Sequence, residues 1–91
     1  MNLEMDIEIH CQHGLHIRPC ASLVKICSSD KDTEVLIKNL SEDTTFVDGK
    51  SMMQVSSLRA ACGQKLHFVF KGENPKPLAE KVADFFSRLD K

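Results

Sequence analysis

The residues best suited to chemistry lie close together between Gly14 and Pro19, where the sequence reads Gly-Leu-His-Ile-Arg-Pro. An alternating run that predicts a strand precedes this stretch, and a periodic run that predicts a helix over 17–28 follows it. We therefore expect His16 at a helix N-terminus, where unpaired backbone N–H groups meet the positive end of the helix dipole. Arg18 adds a guanidinium that suits a phosphate group. The pattern predicts a site that holds a phosphoryl group.

The chemistry of this site follows from the protonation state that it favours. A helix N-terminus disfavours the charged imidazolium, so we expect His16 to be largely neutral near neutral pH and therefore nucleophilic. After a ring nitrogen takes a phosphoryl group, the first-turn N–H groups and Arg18 would stabilise the new anion without a metal. Pro19 fits the first turn because the N–H that it lacks would have no helical partner there.

A second informative segment begins at Lys50-Ser51-Met52-Met53 and continues through Val55 to Ser57-Leu58. Ser51 follows the strand-breaking pair Asp48-Gly49 and is expected to cap a short helix that carries Met52, Val55 and Leu58. Capping alone would explain a serine at this position. A phosphate on Ser51 would also be well placed beside the helix N-terminus.

These two segments together make the chain resemble the HPr family, the histidine-containing phosphocarrier proteins of the phosphoenolpyruvate-dependent sugar phosphotransferase system. The family pattern Gly-Leu/Ile-His-x-Arg-Pro-Ala is met by Gly14 to Pro19, with Cys20 in the alanine position. The segment around Ser51 resembles the regulatory serine segment that a bifunctional kinase/phosphorylase modifies in some bacteria. The resemblance covers essentially the whole chain, in order.

The resemblance implies a function, a reaction and a set of partners. His16 would accept a phosphoryl group on Nδ1 from phospho-enzyme I and pass it to a histidine of the sugar-specific IIA components. Arg18 would stabilise the phosphoryl group, and Ser51 would be the regulatory phosphorylation site of an HPr kinase/phosphorylase. Such a protein is a stoichiometric carrier and not a turnover enzyme, and we expect no cofactor and no metal.

Adjacent methionines at positions 52 and 53 cannot both face a core, so we expect one of them to be exposed. With apolar residues of the first helix they would form a docking patch beside His16, rimmed by lysines. The candidate docking residues are Ile17, Ala21, Lys25, Lys50, Met52 and Met53. The resemblance implies that enzyme I and the IIA components dock there.

Two alternative functions remain open at this point. His10, Cys11, His13 and His16 are all ligand types for zinc or copper, on a chain whose βαββαβ order is roughly ferredoxin-like, so a small metal carrier is one alternative. One observation counts against a metal site. Cys11 continues the strand alternation of Ile7 and is expected to face inward, whereas His10 is expected to face outward, so the donors do not readily converge. The other alternative is a mainly regulatory relative that acts through Ser51.

Composition bounds the remaining possibilities. Ninety-one residues predict one domain over 1–91, and a formal net charge of −1 predicts no general affinity for nucleic acid or membrane surfaces. No apolar run approaches the roughly 20 residues needed to span a bilayer, and the alternating N-terminal run is unlike a signal peptide. The four cysteines form no C-x-x-C pair, and we expect reduced thiols in a cytoplasmic protein. A transient docking surface favours a monomer.

The periodicities predict an α+β fold with the order βαββαβα. Strands are predicted over 2–9, 34–39, 44–48 and 65–71, and helices over 17–28, from Ser51 onward, and through Leu78, Val82, Phe85 and Leu89. Period-two strands with amphipathic helices indicate an open-faced β-sandwich. The resemblance implies a four-stranded antiparallel sheet with three helices on one face. The segment 28–50 is longer than is usual in the family, which predicts an enlarged hairpin around Leu40 to Thr44.

Overall fold

The computed structural model describes residues 2–10, 17–42 and 45–89, without the side chains of residues 17, 18 and 89. The elements follow the predicted order βαββαβα. They are β1 (Asn2–Glu8), α1 (Ile17–Ser28), β2 (Glu34–Asn39), β3 (Val47–Asp48), α2 (Met52–Ser56), β4 (Lys65–Lys71) and α3 (Lys76–Leu89).

The strands form one four-stranded antiparallel sheet in the order β1-β4-β2-β3, which confirms the open-faced α+β sandwich. Successive side chains of a strand point to opposite faces. In β4, Leu66, Phe68 and Phe70 are fully buried on the helix-covered face. Val35 and Ile37 of β2 join them on that face. The opposite face carries the charged alternate residues of β1 and β4.

The third strand is shorter than predicted. Among residues 45–48, the described part of the strand predicted over 44–48, only Val47 and Asp48 pair with β2, opposite Ile37 and Leu36. The chain then closes onto β2 through Gly49, whose N–H donates to the Val35 carbonyl at 2.8 Å. A Cβ at Gly49 would lie 2.7 Å from Val35 Cγ1, so glycine is needed for this approach. This close contact lies directly after the last residue of β3.

Two other element ends differ from the prediction by a few residues. β1 ends at Glu8, although Ile9 is buried and its backbone still bonds to Gln64. α2 ends at Ser56, and Leu58 lies in the following turn with its side chain buried in the core. Both apolar residues therefore contribute to packing from outside the elements predicted to carry them.

The helices cover one face of the sheet, and the core lies between the two layers. α1 packs against α2 and α3, and α3 also packs against β1. Each large apolar side chain buried in this layer contributes about 1.5–3 kcal/mol to folding. The largest fully buried apolar side chains are Phe68, Phe70, Ile9, Leu23, Ile37, Leu58, Leu66, Leu78, Val35, Val55 and Val82.

The apolar stripe of α3 is rotated slightly from the one predicted. Leu78 and Val82 are buried as expected, but the stripe continues to Phe86 rather than Phe85, which is half-buried at its margin. The step from Val82 to Phe86 is four residues, the other spacing that keeps side chains on one helix face. In the part of the chain that the structure describes, no helix is both long and apolar enough to cross a membrane.

Candidate functional site

The N-terminus of α1 is the first part of the candidate site. α1 begins at Ile17, directly after His16 in the sequence, and its first turn contains Pro19 and no acidic residue. The first four N–H groups of a helix have no partner within the helix, so this end can receive an anion. His16 itself, and the side chain of Arg18, lie outside the described residues.

α1 buries one face and exposes another. Cys20, Leu23 and Cys27 are buried against the core, whereas Ala21 and Lys25 are exposed. Ala21 and Lys25 are four residues apart, so they lie on a single, exposed side of the helix. This side extends to Lys25 in the last turn of α1, and the side chain of Ile17 lies outside the described residues.

α2 provides the second part of the candidate site. Ser51 is its N-cap, with extended backbone, and its hydroxyl oxygen accepts a hydrogen bond from the Gln54 N–H at 3.4 Å. The predicted cap is confirmed. Met52 is half-buried against the core and Met53 is 83% exposed, which confirms that one of the two methionines faces solvent.

Lys50 lies beside the C-terminal end of α1. Its Nζ donates to the backbone carbonyl of Asp30 at 2.8 Å, just beyond the last residue of α1. Twelve helical residues span about 18 Å. The two candidate lysines, Lys25 and Lys50, are therefore near the C-terminal end of α1, away from Ile17. A lysine there also complements the negative end of the helix dipole.

The cysteines of α1 are buried and chemically quiet. Burial raises the pKa of the Cys20 thiol and, together with the Asp48 carboxylate, raises that of Cys27 to about 12, although the Lys50 ammonium partly opposes the latter change. Cys27 and Cys62 are free thiols, as expected, whereas Cys11 lies outside the described residues. The cysteine in the family's alanine position thus acts as a small apolar side chain.

The residues of the alternative metal site are mostly outside the described part of the chain, namely Cys11, His13 and His16. His10 is described, and its Nε2 lies 3.2 Å from the Glu8 carboxylate on the exposed surface. Within residues 2–10, 17–42 and 45–89, no three His, Cys, Asp or Glu side chains are grouped as metal ligands.

A histidine that the sequence reasoning did not single out lies on the open face of the sheet. His67 of β4 contacts Asp6 through Nδ1 and Glu4 through Nε2, both on β1. The hydrogen bond to Asp6, with that to Glu4, raises the pKa of His67 despite partial desolvation. The sequence did contain a signal for this contact. The outward-facing alternate residues of β4 are basic and those of β1 are acidic, and antiparallel pairing sets the two rows opposite each other.

The sandwich with a histidine directly ahead of its first helix defines a class of small α+β domains whose helix N-terminus is suited to an anion. A family model described as the phosphorylation site of the PTS HPr component matches residues 3–88. The chain belongs to this HPr family.

Curated relatives agree with this assignment. The chain is 30% identical over 76 residues to the phosphocarrier protein HPr of Borreliella burgdorferi, with 84% of each chain covered. It is 34% identical over 74 residues to a multiphosphoryl transfer protein of Haemophilus influenzae, which covers 81% of this chain. That match spans only 15% of the Haemophilus protein, and the match to the Salmonella typhimurium counterpart spans 22%.

Solved structures show the same fold. HPr from Thermoanaerobacter tengcongensis superposes with a TM-score of 0.85 at 25% identity, covering 97% of this chain and 94% of that one. Crh, the catabolite repression protein of Bacillus subtilis, gives a TM-score of 0.69 at 25% identity, with 91% of each chain covered.

Proposed function

We propose that this protein carries a phosphoryl group on His16, received from a phosphohistidine of enzyme I and passed to a histidine of the IIA components of sugar permeases. The observation that supports the proposal is the start of α1 at Ile17, since His16 is the preceding residue in the sequence and a helix N-terminus suits an anion. The absence of acidic residues from this first turn supports the same function.

The transfer is a displacement at phosphorus. The lone pair of a neutral ring nitrogen of His16, Nδ1 by family resemblance, attacks the phosphorus of the donor phosphohistidine. The new N–P bond forms as the donor's N–P bond breaks, and the electron pair of the broken bond returns to the donor imidazole. The N–H groups of the first turn and the Arg18 guanidinium hold the phosphoryl oxygens during transfer. The reverse of these steps delivers the group to the acceptor, and no cofactor takes part.

The docking surface that serves this transfer is the exposed side of α1 together with the exposed part of α2. Ala21 lies on that side of α1, and α2 packs beside α1 with Met53 exposed to solvent. Ile17, four residues before Ala21, is included in the proposed surface from its sequence position. An exposed methionine adapts its shape to different partners, which suits a carrier that must fit a donor and several acceptors. Lys25 and Lys50 supply positive charge at the far end of this surface.

Phosphorylation of Ser51 by an HPr kinase/phosphorylase would regulate docking. A phosphate adds about −1.5 to −2 charge beside Met52 and Met53. The phosphate would act electrostatically on a partner that docks at these two methionines. Regulation would therefore appear as weaker binding to enzyme I.

We place this carrier in the cytoplasm as a monomer, with residues 1–91 acting as one domain. The free thiols Cys27 and Cys62 suit a reducing compartment. A single exposed docking surface that exchanges partners quickly is best served by a chain that does not bury that surface against a second copy.

Incubation with enzyme I and labelled phosphoenolpyruvate tests the proposal. We expect an acid-labile label on the protein that is lost in His16→Ala and kept in Ser51→Ala and in the matched control His10→Ala. Arg18→Ala should slow transfer by about tenfold or more while leaving the thermal unfolding transition in place. Full labelling of His16→Ala would overturn the assignment, and a collapsed thermal transition in Arg18→Ala would make that residue structural.

A further inference from the structure

His67 lies between two carboxylates on the face of the sheet that the helices leave open. Asp6, its direct cross-strand neighbour, contacts Nδ1, and Glu4 lies 2.8 Å from Nε2. Both carboxylates belong to β1, whereas the imidazole belongs to β4. The His67 side chain is 22% exposed, against 63% for Glu4 and 58% for Asp6, so the ring is sheltered beneath them.

This arrangement requires a proton on each ring nitrogen. An ionised carboxylate only accepts hydrogen bonds, and a neutral imidazole donates from one nitrogen and presents a lone pair at the other. Two carboxylates can therefore both be satisfied only by the imidazolium form. When the proton leaves, one of the two cross-strand hydrogen bonds is replaced by repulsion between a lone pair and a carboxylate.

The other charged groups around His67 do not change this preference for the imidazolium form. Lys38 of β2 is its direct neighbour on the other side, but its Nζ lies over the ring of Phe46, 5.8 Å from the centroid. The Phe46 ring lies 6.0 Å from the His67 ring. Lys65 and Lys71 share the face of His67 on β4 and stand opposite Glu8 and Asn2. The carboxylates dominate, since the pKa of His67 is raised, first by its hydrogen bond to Asp6.

β1 is the strand that such contacts would hold. It is an edge strand that pairs with β4, and no other strand pairs with it among the described residues. Beyond its end, Ile9 is fixed separately, because its N–H donates to the Gln64 carbonyl at 2.8 Å and its carbonyl accepts from the Gly63 N–H. Loss of the His67 contacts would therefore affect β1 itself rather than the residue that follows it.

We propose that His67, Asp6 and Glu4 form a proton-dependent clamp that holds edge strand β1 onto β4. The clamp is closed while the ring carries both protons and opens as the pH rises. Since the folded-state pKa of His67 is raised, the stabilisation is fully present below the ordinary histidine pKa and is lost as the pH passes upward through the raised value. The pairing of β1 with β4 therefore weakens as the pH rises.

Amide hydrogen exchange of the unmodified protein tests the clamp. Protection factors, which correct for the intrinsic effect of pH, are compared for Met5 and Ile7 of β1 and for Val82 of α3 between pH 6 and pH 9. We expect the β1 protection to fall by about three- to tenfold relative to α3 as the proton is lost. In His67→Gln, β1 protection should be low throughout and independent of pH.

His10→Gln is the matched control, because His10 pairs with Glu8 of the adjoining strand β1 and does not bridge to β4. It should keep the pH dependence of the wild type. If His67→Gln fails to fold, the exposed variants Asp6→Asn and Glu4→Gln carry the test, and each should lower the midpoint of the His67 ring titration measured by NMR. Constant β1 protection in the wild type, or an unchanged midpoint in Asp6→Asn, would overturn the clamp.

Discussion

Cysteine side chains of this protein differ sharply in their surroundings. Cys20 and Cys27 face the core from α1, and burial raises the pKa of both thiols, that of Cys27 to about 12. Cys62 lies on the exposed segment before β4. Because the thiolate is the reactive form, burial suppresses reactivity both by blocking access and by keeping the proton on sulfur.

Alkylation should separate these thiols. With iodoacetamide at about pH 8, we expect rapid modification of Cys62, while Cys27 reacts at least about a hundredfold more slowly until the protein unfolds. Cys20 should react as slowly as Cys27. Peptide mapping by mass spectrometry with and without urea gives the rate for each site. Equal rates for Cys27 and Cys62 in the folded protein would show that α1 is not packed as described.

Secondary structure elements with an uninterrupted apolar period were predictable from the sequence. The bounds predicted for α1 and β4 are the bounds observed, because each carries a clear period with breaking residues around it. β3 begins later than predicted but ends at Asp48 as predicted, where Gly49 makes its close contact with Val35 of another strand. Such a contact joins residues that are distant in sequence, and local composition does not specify it.

α3 provides a quantitative test of the difference between predicted and observed packing. Phe86 is 7% exposed and makes edge contacts with the Phe68 ring at 5.8 Å and with the Phe85 ring at 5.1 Å, whereas Phe85 is only half-buried. Phe86→Ala should lower the free energy of unfolding by about 3–4 kcal/mol, and Phe85→Ala by about half as much. Urea denaturation followed by circular dichroism measures both. A larger loss for Phe85→Ala than for Phe86→Ala would show that Phe85 belongs to the buried stripe of α3, as the sequence predicts.

At the scale of the whole molecule, a polar network joins parts of the chain that no sequence period connects. The buried Asn39 at the end of β2 donates to the Leu58 carbonyl at 2.9 Å and to Gln64 Oε1 at 3.2 Å, and accepts from the Ser41 N–H at 3.0 Å. Gln64 in turn donates to the Glu42 carboxylate at 2.6 Å. The turn after β2 is thus joined to the segment that links α2 to β4.

The candidate site shows the same division between local and long-range information. The cap at Ser51 and the exposure of Met53 follow from neighbouring residues, and both were predicted. The bond from Lys50 to the Asp30 carbonyl and the carboxylates around His67 join residues 20 and more than 60 positions apart. These contacts exist only once the elements have assembled, so residue types alone do not disclose them.

Replacing Asn39 tests how strongly the network holds the molecule together. Asn39→Leu keeps a similar volume but leaves the buried Leu58 carbonyl without the hydrogen bond from Asn39 and the Ser41 N–H without its acceptor. A buried carbonyl without a partner costs about 1–3 kcal/mol and a part-buried N–H less, so we expect a loss of about 1–4 kcal/mol in the free energy of unfolding.

Ser41→Ala is the control, since it removes only the exposed hydrogen bond from the Lys65 N–H to the Ser41 hydroxyl. It should cost less than about 1 kcal/mol. Urea titration of the two variants beside the wild type gives both values. If Asn39→Leu were as stable as the wild type, hydrophobic packing alone would join these segments, and the network would serve only to orient the chain between α2 and β4.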